Sequence, residues 1–412
     1  MKLGYLSQYF EGVAVKQLSA VEADLVRSHQ HEYNGVAELK KIFGSVTGTE
    51  KRTFPARFVY LTDSEDEPVT EEGEECFLTW YDARARSADR TGRSEYRLYF
   101  PTTTVSLCAA EGDLLVLGRL PSGMVLVLIA EGGSTIASQL KWLFGVADLT
   151  HPGFAVRGEL EEEKDRIGFA ARVVLDQIGV DVVQERAEDY LPDMLARFGR
   201  AFPQTRIFSA YARDTLQGVS PADDPDATLM LWMEREELLF RTLERELVRE
   251  RLLQGFAGDV DGFIQFSLSV QNRRKSRVGA ALESHAASIL DACRIRYSRT
   301  EHTENKSKPD FLFPGIEEYR SAEYPESRLT MLGAKTTCKD RWRQVLSEAA
   351  RIDIKHLLTL EAAISEPQTS EMRAQRLQLV VPKLLHDTYS PAQQIWLMSF
   401  RDFIGIVQVR QP

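Results

Sequence analysis

Hydrophobic positions in the first third of the chain form short runs separated by glycine, proline and acidic turn residues. This is the pattern of β-strands joined by turns. The predicted strands are Arg57–Leu61, Phe77–Tyr81, Tyr96–Phe100, Leu114–Leu117 and Met124–Ile129. Between two of them, Thr62–Glu75 is strongly acidic and has no dense apolar pattern, so we expect a solvated loop there. The pattern predicts a mostly β domain over residues 1–150.

In the middle of the chain, apolar residues recur with the spacing of an α-helix. A helix is predicted near Ile167–Ile178, within a charged connector over residues 151–200, and a long amphipathic helix over Ala227–Gln254. Leu239, Leu243 and Leu247 of the long helix repeat every fourth residue and therefore share one face. We favour packing of this face within its own domain over a dimer seam.

The last part of the chain alternates strands with helices, which is typical of an α/β domain with a mixed central sheet. One helix carries Leu282, Glu283 and His285. The predicted strands are Asp310–Phe313, Leu329–Lys335, His356–Leu360 and Leu377–Val381, and two further helices are predicted at Lys339–Ile352 and Ala392–Phe403. We assign this α/β domain to residues 201–412, which makes the chain a multidomain α+β protein.

Net charge, cysteine spacing and the lengths of apolar stretches exclude several classes of protein. The 412 residues carry a net charge of −10, which excludes a histone-like cationic binder but leaves room for a basic cleft that binds DNA. The four cysteines lie far apart and form no CxxC pair, so neither a disulfide framework nor a zinc knuckle is indicated. Met1–Gln8 does not resemble a signal peptide, and Arg119 and Pro121 interrupt the longest apolar stretch. We therefore expect a cytoplasmic protein without membrane contact.

Candidate chemistry lies at strand ends in the last domain. Asp310 begins a short strand after Pro309, and Lys335 ends the next strand, so the two can meet at a sheet edge. Carboxylates that hold Mg²⁺ beside a lysine are what phosphodiester hydrolysis requires. In the common PD…(D/E)xK nuclease pattern a carboxylate precedes the lysine by two residues, but Gly333 stands here. We expect Glu348 to replace it from the following helix.

Further candidates surround this group. Glu283, on the helix before the sheet, is a candidate outer ligand or a group that orients the lysine. Two basic segments flank the site and indicate phosphate contact. Lys339, Asp340 and Arg341 place donor, acceptor and donor in succession, which suits the edges of guanine and cytosine. The other segment contains Arg273, Arg274, Lys275 and Arg277.

These segments carry a resemblance to a known family. Asn272–Arg277, Lys308–Pro314 and Lys335–Gln344, followed by His356–Leu360 and Leu379–Pro382, resemble the EcoRII-type restriction endonucleases. The resemblance implies a type IIE restriction enzyme: a Mg²⁺-dependent homodimer that cuts double-stranded DNA at a short CC…GG-type site. It implies a cognate cytosine methyltransferase as partner. The family's catalytic and metal positions fall on Asp310, Lys335 and Glu348, with Glu283 nearby, and its base-reading segment falls on Lys339, Asp340 and Arg341.

The resemblance extends more thinly to the first domain. It implies a pseudobarrel that binds a second copy of the DNA site and restrains the nuclease until that site is occupied. Arginines and tyrosines between Tyr81 and Arg97 support a DNA contact, and the loop around His29 would form the other arm of the clamp. The candidate DNA-binding residues are His29, Gln30, Tyr33, Arg84, Arg93, Glu95, Tyr96 and Arg97.

Three alternatives stay open. The first domain could read 5-methylcytosine and direct cutting to methylated DNA, and a pocket lined by Tyr33, Trp80 or Tyr81 would be its mark. A DNA-binding regulator with a decayed nuclease is disfavoured, because Asp310, Lys335 and Glu348 all remain. A protein-interaction scaffold would explain the amphipathic helix but not the base-reading segment.

Overall fold

A computed structural model describes residues 2–34, 36–64, 73–85, 94–146, 149, 153–182, 188–304 and 307–411. The chain divides into two compact units. The N-terminal unit comprises Met1–Val182 and Ala363–Thr369, and the C-terminal unit comprises Val183–Ala362 and Ser370–Pro412. The finer division into domains 1–150 and 201–412 with a connector remains a prediction. No helix of the described ranges is both long enough and apolar enough to cross a membrane.

The N-terminal unit is built on one mixed sheet of eight strands in the order β2-β5-β4-β3-β7-β6-β1-β8. All described strand pairs are antiparallel except β3 and β7, which are parallel. The strands are β1 (Gly12–Gln17), β2 (Glu32–Tyr33), β3 (Lys51–Leu61), β4 (Glu74–Asp82), β5 (Tyr96–Tyr99), β6 (Leu114–Arg119), β7 (Val125–Ala130) and β8 (Ala155–Arg157). The mostly β prediction for this region is confirmed.

Both faces of this sheet are buried, which explains why β6 and β7 read as continuous apolar runs. Leu114 and Val116 of β6 pack with residues of α5 and α6, whereas Leu115 and Leu117 face a second core around Trp80. The helices of this unit are α1 (Ala20–Ala23), α2 (Leu25–Ser28), α3 (Lys40–Phe43), α4 (Thr104–Cys108), α5 (Thr135–Leu143) and α6 (Phe169–Gln177).

The structure corrects the strand predictions in detail. All five predicted strands are present, but β3 begins at Lys51, and β1, β2 and β8 were not predicted. The expected acidic loop lies partly outside the described residues. Its last two glutamates belong to β4, where Glu74 pairs with Phe58 and Glu75 with Arg57 in the antiparallel ladder. Backbone pairing with a long neighbouring strand therefore extends β4 into acidic sequence.

A buried ion pair ties β1 to the turn before β2. The Lys16 ammonium, 1% exposed, lies 2.6 Å from the Glu22 carboxylate and also donates to the carbonyl of Asn34. Glu22 accepts further hydrogen bonds from Ser19 and from the backbone N–H of Asn34. The pKa of Glu22 is lowered, because these hydrogen bonds outweigh the effect of burial. The pair thereby fixes the chain next to the predicted DNA-binding loop.

Replacing Lys16 by Met should lower the free energy of unfolding by about 3–5 kcal/mol, because Glu22 would stay buried without its partner. Urea denaturation followed by circular dichroism measures this. Lys41→Met is the matched control, because Lys41 pairs with Glu38 at 2.7 Å with both side chains more than half exposed. The control should change stability by less than about 1 kcal/mol. Equal effects of the two substitutions would contradict this account of the pair.

The C-terminal unit combines long helices with a four-stranded mixed sheet in the order β12-β11-β10-β9. Strands β10, β11 and β12 are parallel, and β9 is antiparallel to β10. The strands are β9 (Phe311–Phe313), β10 (Thr330–Lys335), β11 (Lys355–Thr359) and β12 (Leu377–Val380). The predicted α/β domain with a mixed central sheet is confirmed.

Helices form the remainder of this unit. They are α7 (Leu191–Phe198), α8 (Thr205–Asp214), α9 (Pro225–Gln254), α10 (Val260–Ala292), α11 (Ile316–Arg320), α12 (Trp342–Leu346), α13 (Glu366–Ala374), α14 (Pro391–Gln394) and α15 (Phe400–Arg410). Of α13, the residues from Ser370 onward belong to this unit. Leu239 and Leu243 of α9 are fully buried in a cluster with α7 and α8, and Leu247 packs against it. Packing of this face within the unit is therefore confirmed.

Two helix predictions were wrong in their bounds. The predicted helix at Lys339–Ile352 is a 3₁₀ turn followed by α12, which ends at Leu346. The predicted final helix is split into α14 and α15, because Ser399 caps the start of α15 by accepting a hydrogen bond from the backbone N–H of Asp402.

Candidate active site

Asp310 and Lys335 meet at one edge of the C-terminal sheet, as predicted. Asp310 directly precedes β9, and Lys335 is the last residue of the antiparallel neighbour β10. The Lys335 Nζ lies 3.0 Å from Asp310 Oδ2, and the backbone N–H of Ala334 donates to the same oxygen at 2.7 Å. Two donors from β10 thus hold the carboxylate, which is largely buried at the sheet edge.

Packing explains why a glycine stands where the common nuclease pattern has a carboxylate. A side chain at Gly333 would meet the Val345 methyl groups at 3.1 and 3.3 Å and Leu357 at 3.5 Å. Val345 belongs to α12, which therefore covers the position two residues before Lys335. The polypeptide that fills this space also carries Glu348, three residues further on.

Glu348 reaches the site from a bend and not from a helix. The Ser347 hydroxyl donates to the carbonyl of Gln344 at 2.8 Å, and Ala349 adopts a positive φ of 48°, so the helix cannot continue. Glu348 therefore does not lie on the following helix, which corrects that prediction. Burial, followed by the nearby charge of Asp310, raises the pKa of Glu348 to about 7.

Glu283 completes the group of acidic residues. It lies near the C-terminal end of α10, and burial together with the charge of Asp310 raises its pKa. Arg299 binds it at 3.1 Å and also lies over the ring of Phe311. Arg299 was missed at the sequence level, because it stands alone in the connection between α10 and β9, outside the recognisable segments.

The chemistry of this group fits a divalent cation. Glu283 and Glu348 are each affected by burial and by the charge of Asp310, and Glu348 Oε2 is buried without a hydrogen-bond partner. A bound cation would relieve both conditions. No set of three or more histidine, cysteine or acidic side chains among the described residues has the geometry of a complete metal site. Two carboxylates, Asp310 and Glu348, suit Mg²⁺, which retains several non-protein oxygens.

The predicted base-reading residues lie directly beyond Lys335. Lys339–Arg341 form the 3₁₀ turn between β10 and α12. The backbone N–H of Cys338, before the turn, is held by the buried carboxylate of Glu361. Arg341 is exposed, whereas Trp342 is fully buried and so belongs to the core. The turn thus follows the strand that ends at Lys335, and Glu361 holds the residue that precedes it.

The basic segment on α10 divides into exposed and buried parts. Lys275 is exposed, Arg273 lies 4.0 Å above the ring of Phe202, and Arg274 binds Glu244 at 2.7 Å. Arg277 is 6% exposed and binds Glu236 and Glu237 of α9. The prediction that Arg277 faces DNA is therefore corrected, because its guanidinium is used in helix packing.

Candidate DNA-binding residues of the N-terminal unit form an ion-pair network near the end of β4, the start of β5 and β2. Glu95 lies 2.6 Å from Arg84 and 2.8 Å from Arg97, and Arg97 lies 2.8 Å from Glu32. The hydrogen bonds from Arg97 and then Arg84 lower the pKa of Glu95. Arg93 lies outside the described residues. The arginines that are described are partly exposed and already paired with carboxylates.

The loop and the aromatic candidates have different environments. His29 ends α2 with a positive φ of 52°, and Gln30 donates to Asn34 at 3.0 Å. Tyr33 is buried and stacks on Phe100 at 4.2 Å. Trp80 is also buried, donates to the carbonyl of Gly44 and stacks on Tyr96 at 4.9 Å. Tyr33 and Trp80 are therefore core residues, which corrects the expectation that they mark a pocket for a modified base.

Residues 240–404 match the protein family described as EcoRII C terminal. This stretch of the chain is therefore similar to the EcoRII C-terminal domain. The type II restriction enzyme EcoRII of Escherichia coli is 43% identical over 183 residues, which cover 44% of this chain and 45% of that enzyme. The chain thus matches less than half the length of this relative.

Solved structures of restriction endonucleases are also similar to this chain. Metal-depleted Ecl18kI in complex with uncleaved, modified DNA is 17% identical with a TM-score of 0.44, covering 55% of this chain and 85% of that one. The restriction endonuclease PspGI in complex with substrate DNA is 16% identical with a TM-score of 0.43, covering 51% and 93%.

Glu348→Gln should stabilise the protein in metal-free buffer at pH 8 by up to about 3 kcal/mol. The pKa of Glu348 is raised from 4.5 to about 7 in the folded state, so the native protein loses stability as pH rises through this window. Glutamine does not titrate, so the difference in free energy of unfolding between Glu348→Gln and the parent should grow from pH 4.5 to 7 and then level off. Thermal unfolding across this pH range measures the difference. An advantage that does not vary with pH would contradict the shift, and Glu371→Gln, on an exposed side chain, serves as the control.

Proposed function

We propose that this chain is a type II restriction endonuclease of the EcoRII kind, which hydrolyses double-stranded DNA at a short CC…GG-type site with Mg²⁺. The observation that carries the proposal is the grouping of Asp310, Lys335 and Glu348 at one sheet edge beside the Lys339–Arg341 turn. Its occurrence in a domain similar to EcoRII supports the same reaction. The enzyme class is site-specific deoxyribonuclease.

Asp310 and Glu348 would hold Mg²⁺. The bound ion would supply Lewis acidity at the scissile phosphate and favour ionisation of the attacking water. Lys335, whose Nζ already donates to Asp310, is placed to bind a phosphate oxygen and to stabilise the charge that develops there. Glu283 and Arg299 pair behind the site and adjust its charge. Water attack with inversion leaves a 3′-hydroxyl and a 5′-phosphate.

Recognition is assigned to the turn after β10 and to α10. Arg341 and Lys339 would donate to guanine edges and Asp340 would accept from the cytosine amino group. Lys275, together with Arg273 and Arg274, would contact phosphates and so contribute affinity without sequence information. Because α10 carries both this segment and Glu283, a phosphate contact on α10 is linked to the site through one rigid element.

The N-terminal unit is proposed to bind a second copy of the DNA site. Its candidate surface combines the paired arginines Arg84 and Arg97 with the loop at His29 and Gln30, and carboxylate partners can be exchanged for phosphates or guanines. The alternative, that this unit reads 5-methylcytosine, remains a second candidate without Tyr33 and Trp80 as pocket residues. A cognate cytosine methyltransferase and a cytoplasmic location complete the proposed restriction system.

A homodimer is proposed because both strands of a nearly palindromic site must meet an active site. Around the junction of α9 and α10 the protein exposes a row of apolar side chains, which we call the hairpin patch. An exposed apolar row of this kind indicates a protein contact. The hairpin patch contains Leu252, Leu253, Val260, Phe263, Ile264 and Leu268, which are 47–76% exposed.

The function is tested with purified protein, plasmid DNA and Mg²⁺. The parent should give discrete ends at a CC…GG-type site, and Asp310→Ala should lower cutting on the order of 10³-fold or more while DNA binding is largely retained. Asp353→Ala is the matched control, since that carboxylate is exposed and forms a surface ion pair with Arg376. Loss of binding together with cutting in Asp310→Ala would make Asp310 structural.

The methylation state of the plasmid separates the remaining candidates. Cutting of unmethylated DNA supports the EcoRII-like enzyme, and cutting of cytosine-methylated DNA alone supports the modification reader. Binding of either DNA without any cutting would instead favour the regulator.

The hairpin patch is tested by sedimentation velocity. The double variant Val260→Glu with Ile264→Glu should raise the dimer dissociation constant more than tenfold, because two carboxylates would be buried in an apolar contact. Ile395→Glu, at an apolar side chain 89% exposed outside the patch, should leave the dimer intact. A double variant that dimerises as tightly as this control would place the interface elsewhere.

A further inference from the structure

The segment that carries Glu348 has no regular secondary structure, yet it is held from both sides. Residues 347–352 form turns between α12 and β11. The Glu348 carboxylate has one buried oxygen without a hydrogen-bond partner, so its own hydrogen bonds do not fix its position. The position of this carboxylate is therefore set by the backbone of the segment that carries it.

Lys355 holds the inner side of this segment. It is the first residue of β11 and is 6% exposed, and its Nζ donates to the carbonyls of Ala349 and Ile352 at 2.6 and 2.5 Å. A buried ammonium is costly unless its donors are satisfied, and here they are used by two backbone acceptors. An apolar residue would serve a buried strand position equally well in packing, but it would leave both carbonyls without these donors.

Glu304 and Tyr319 hold the outer side. One Glu304 oxygen accepts from the backbone N–H of Ala350 at 3.3 Å and from the Tyr319 hydroxyl at 2.5 Å. The backbone N–H of Arg351 donates to the same hydroxyl at 3.3 Å. The segment is thus clamped between the sheet and the Glu304–Tyr319 pair, on the C-terminal side of Glu348.

We propose that Lys355 is a positioning residue that fixes Glu348 for cation binding. This inference rests on the proposed function, since it assigns Glu348 a ligand role. Lys355 links Glu348 to the sheet that carries Lys335, because β11 is the parallel neighbour of β10. Without the ammonium, the turn that follows Glu348 is released, and the carboxylate samples positions away from Asp310.

The test is calorimetric titration of the full-length protein with Mn²⁺, for the parent and for Lys355→Met. Methionine keeps the length of the side chain and removes its donors. Loss of a group that orients a metal ligand lowers metal affinity roughly 10–100-fold, and we expect a change of this size. In cleavage assays the Mg²⁺ concentration for half-maximal rate should rise in parallel, and cutting should recover at high Mg²⁺.

One control and one second test variant separate positioning from general stability. Ile404→Val shortens a buried side chain of α15 away from the site and should lower the melting temperature without changing Mn²⁺ affinity. Glu304→Gln weakens the outer side of the clamp and should lower Mn²⁺ affinity in the same direction as Lys355→Met, which keeps the test available if Lys355→Met does not fold.

The outcomes are distinct. Unchanged Mn²⁺ affinity in a folded Lys355→Met, or in Glu304→Gln where Lys355→Met fails to fold, would overturn the positioning role and leave the proposed function intact. Mn²⁺ affinity that is equally absent in the parent and in Asp310→Ala would overturn the proposed function and the positioning role together.

Discussion

The candidate active site depends on the electrostatic repulsion among the carboxylates of Asp310, Glu283 and Glu348, which lie close together and are partly buried. Asp310 stays in place because Lys335 and the Ala334 N–H donate to it, and Glu283 stays because Arg299 does. Glu348 Oε2 is buried without a hydrogen-bond partner among the described residues, and burial, followed by the charge of Asp310, raises the pKa of Glu348 to about 7. This unbalanced negative charge destabilises the metal-free protein, and a divalent cation bound as proposed would offset it.

A packing constraint explains why the second carboxylate of the site lies after α12 and not on β10. Val345 occupies the space that a side chain at position 333 would need. A side chain at that position would require Val345 of α12 to shift by a few tenths of an ångström. Placing the acid after α12 keeps it near Lys335, but it then depends on a turn for its position. The clamp formed by Lys355, Glu304 and Tyr319 supplies the rigidity that a strand would otherwise provide.

Sequence patterns predicted the residues of the site better than the elements that carry them. Asp310 and Lys335 were predicted to meet because they stand at the ends of consecutive apolar runs. Glu348 was predicted on a helix, but local hydrogen bonding at Ser347 and the positive φ of Ala349 end that helix early. Arg299 pairs with Glu283 of the preceding helix, and Lys355 binds carbonyls of an irregular turn, so no helical or strand spacing indicates either residue. Arg277 could have been recognised as buried, because it shares a helical face with the buried Ala281, four residues further on.

The most direct test of the account is anomalous diffraction from crystals of the full-length protein grown with Mn²⁺. The account predicts an anomalous peak in contact with the carboxylates of Asp310 and Glu348, and its loss in Asp310→Ala. A peak bound by other residues, or a peak that persists in Asp310→Ala, would contradict the central claim that these carboxylates form the cation site.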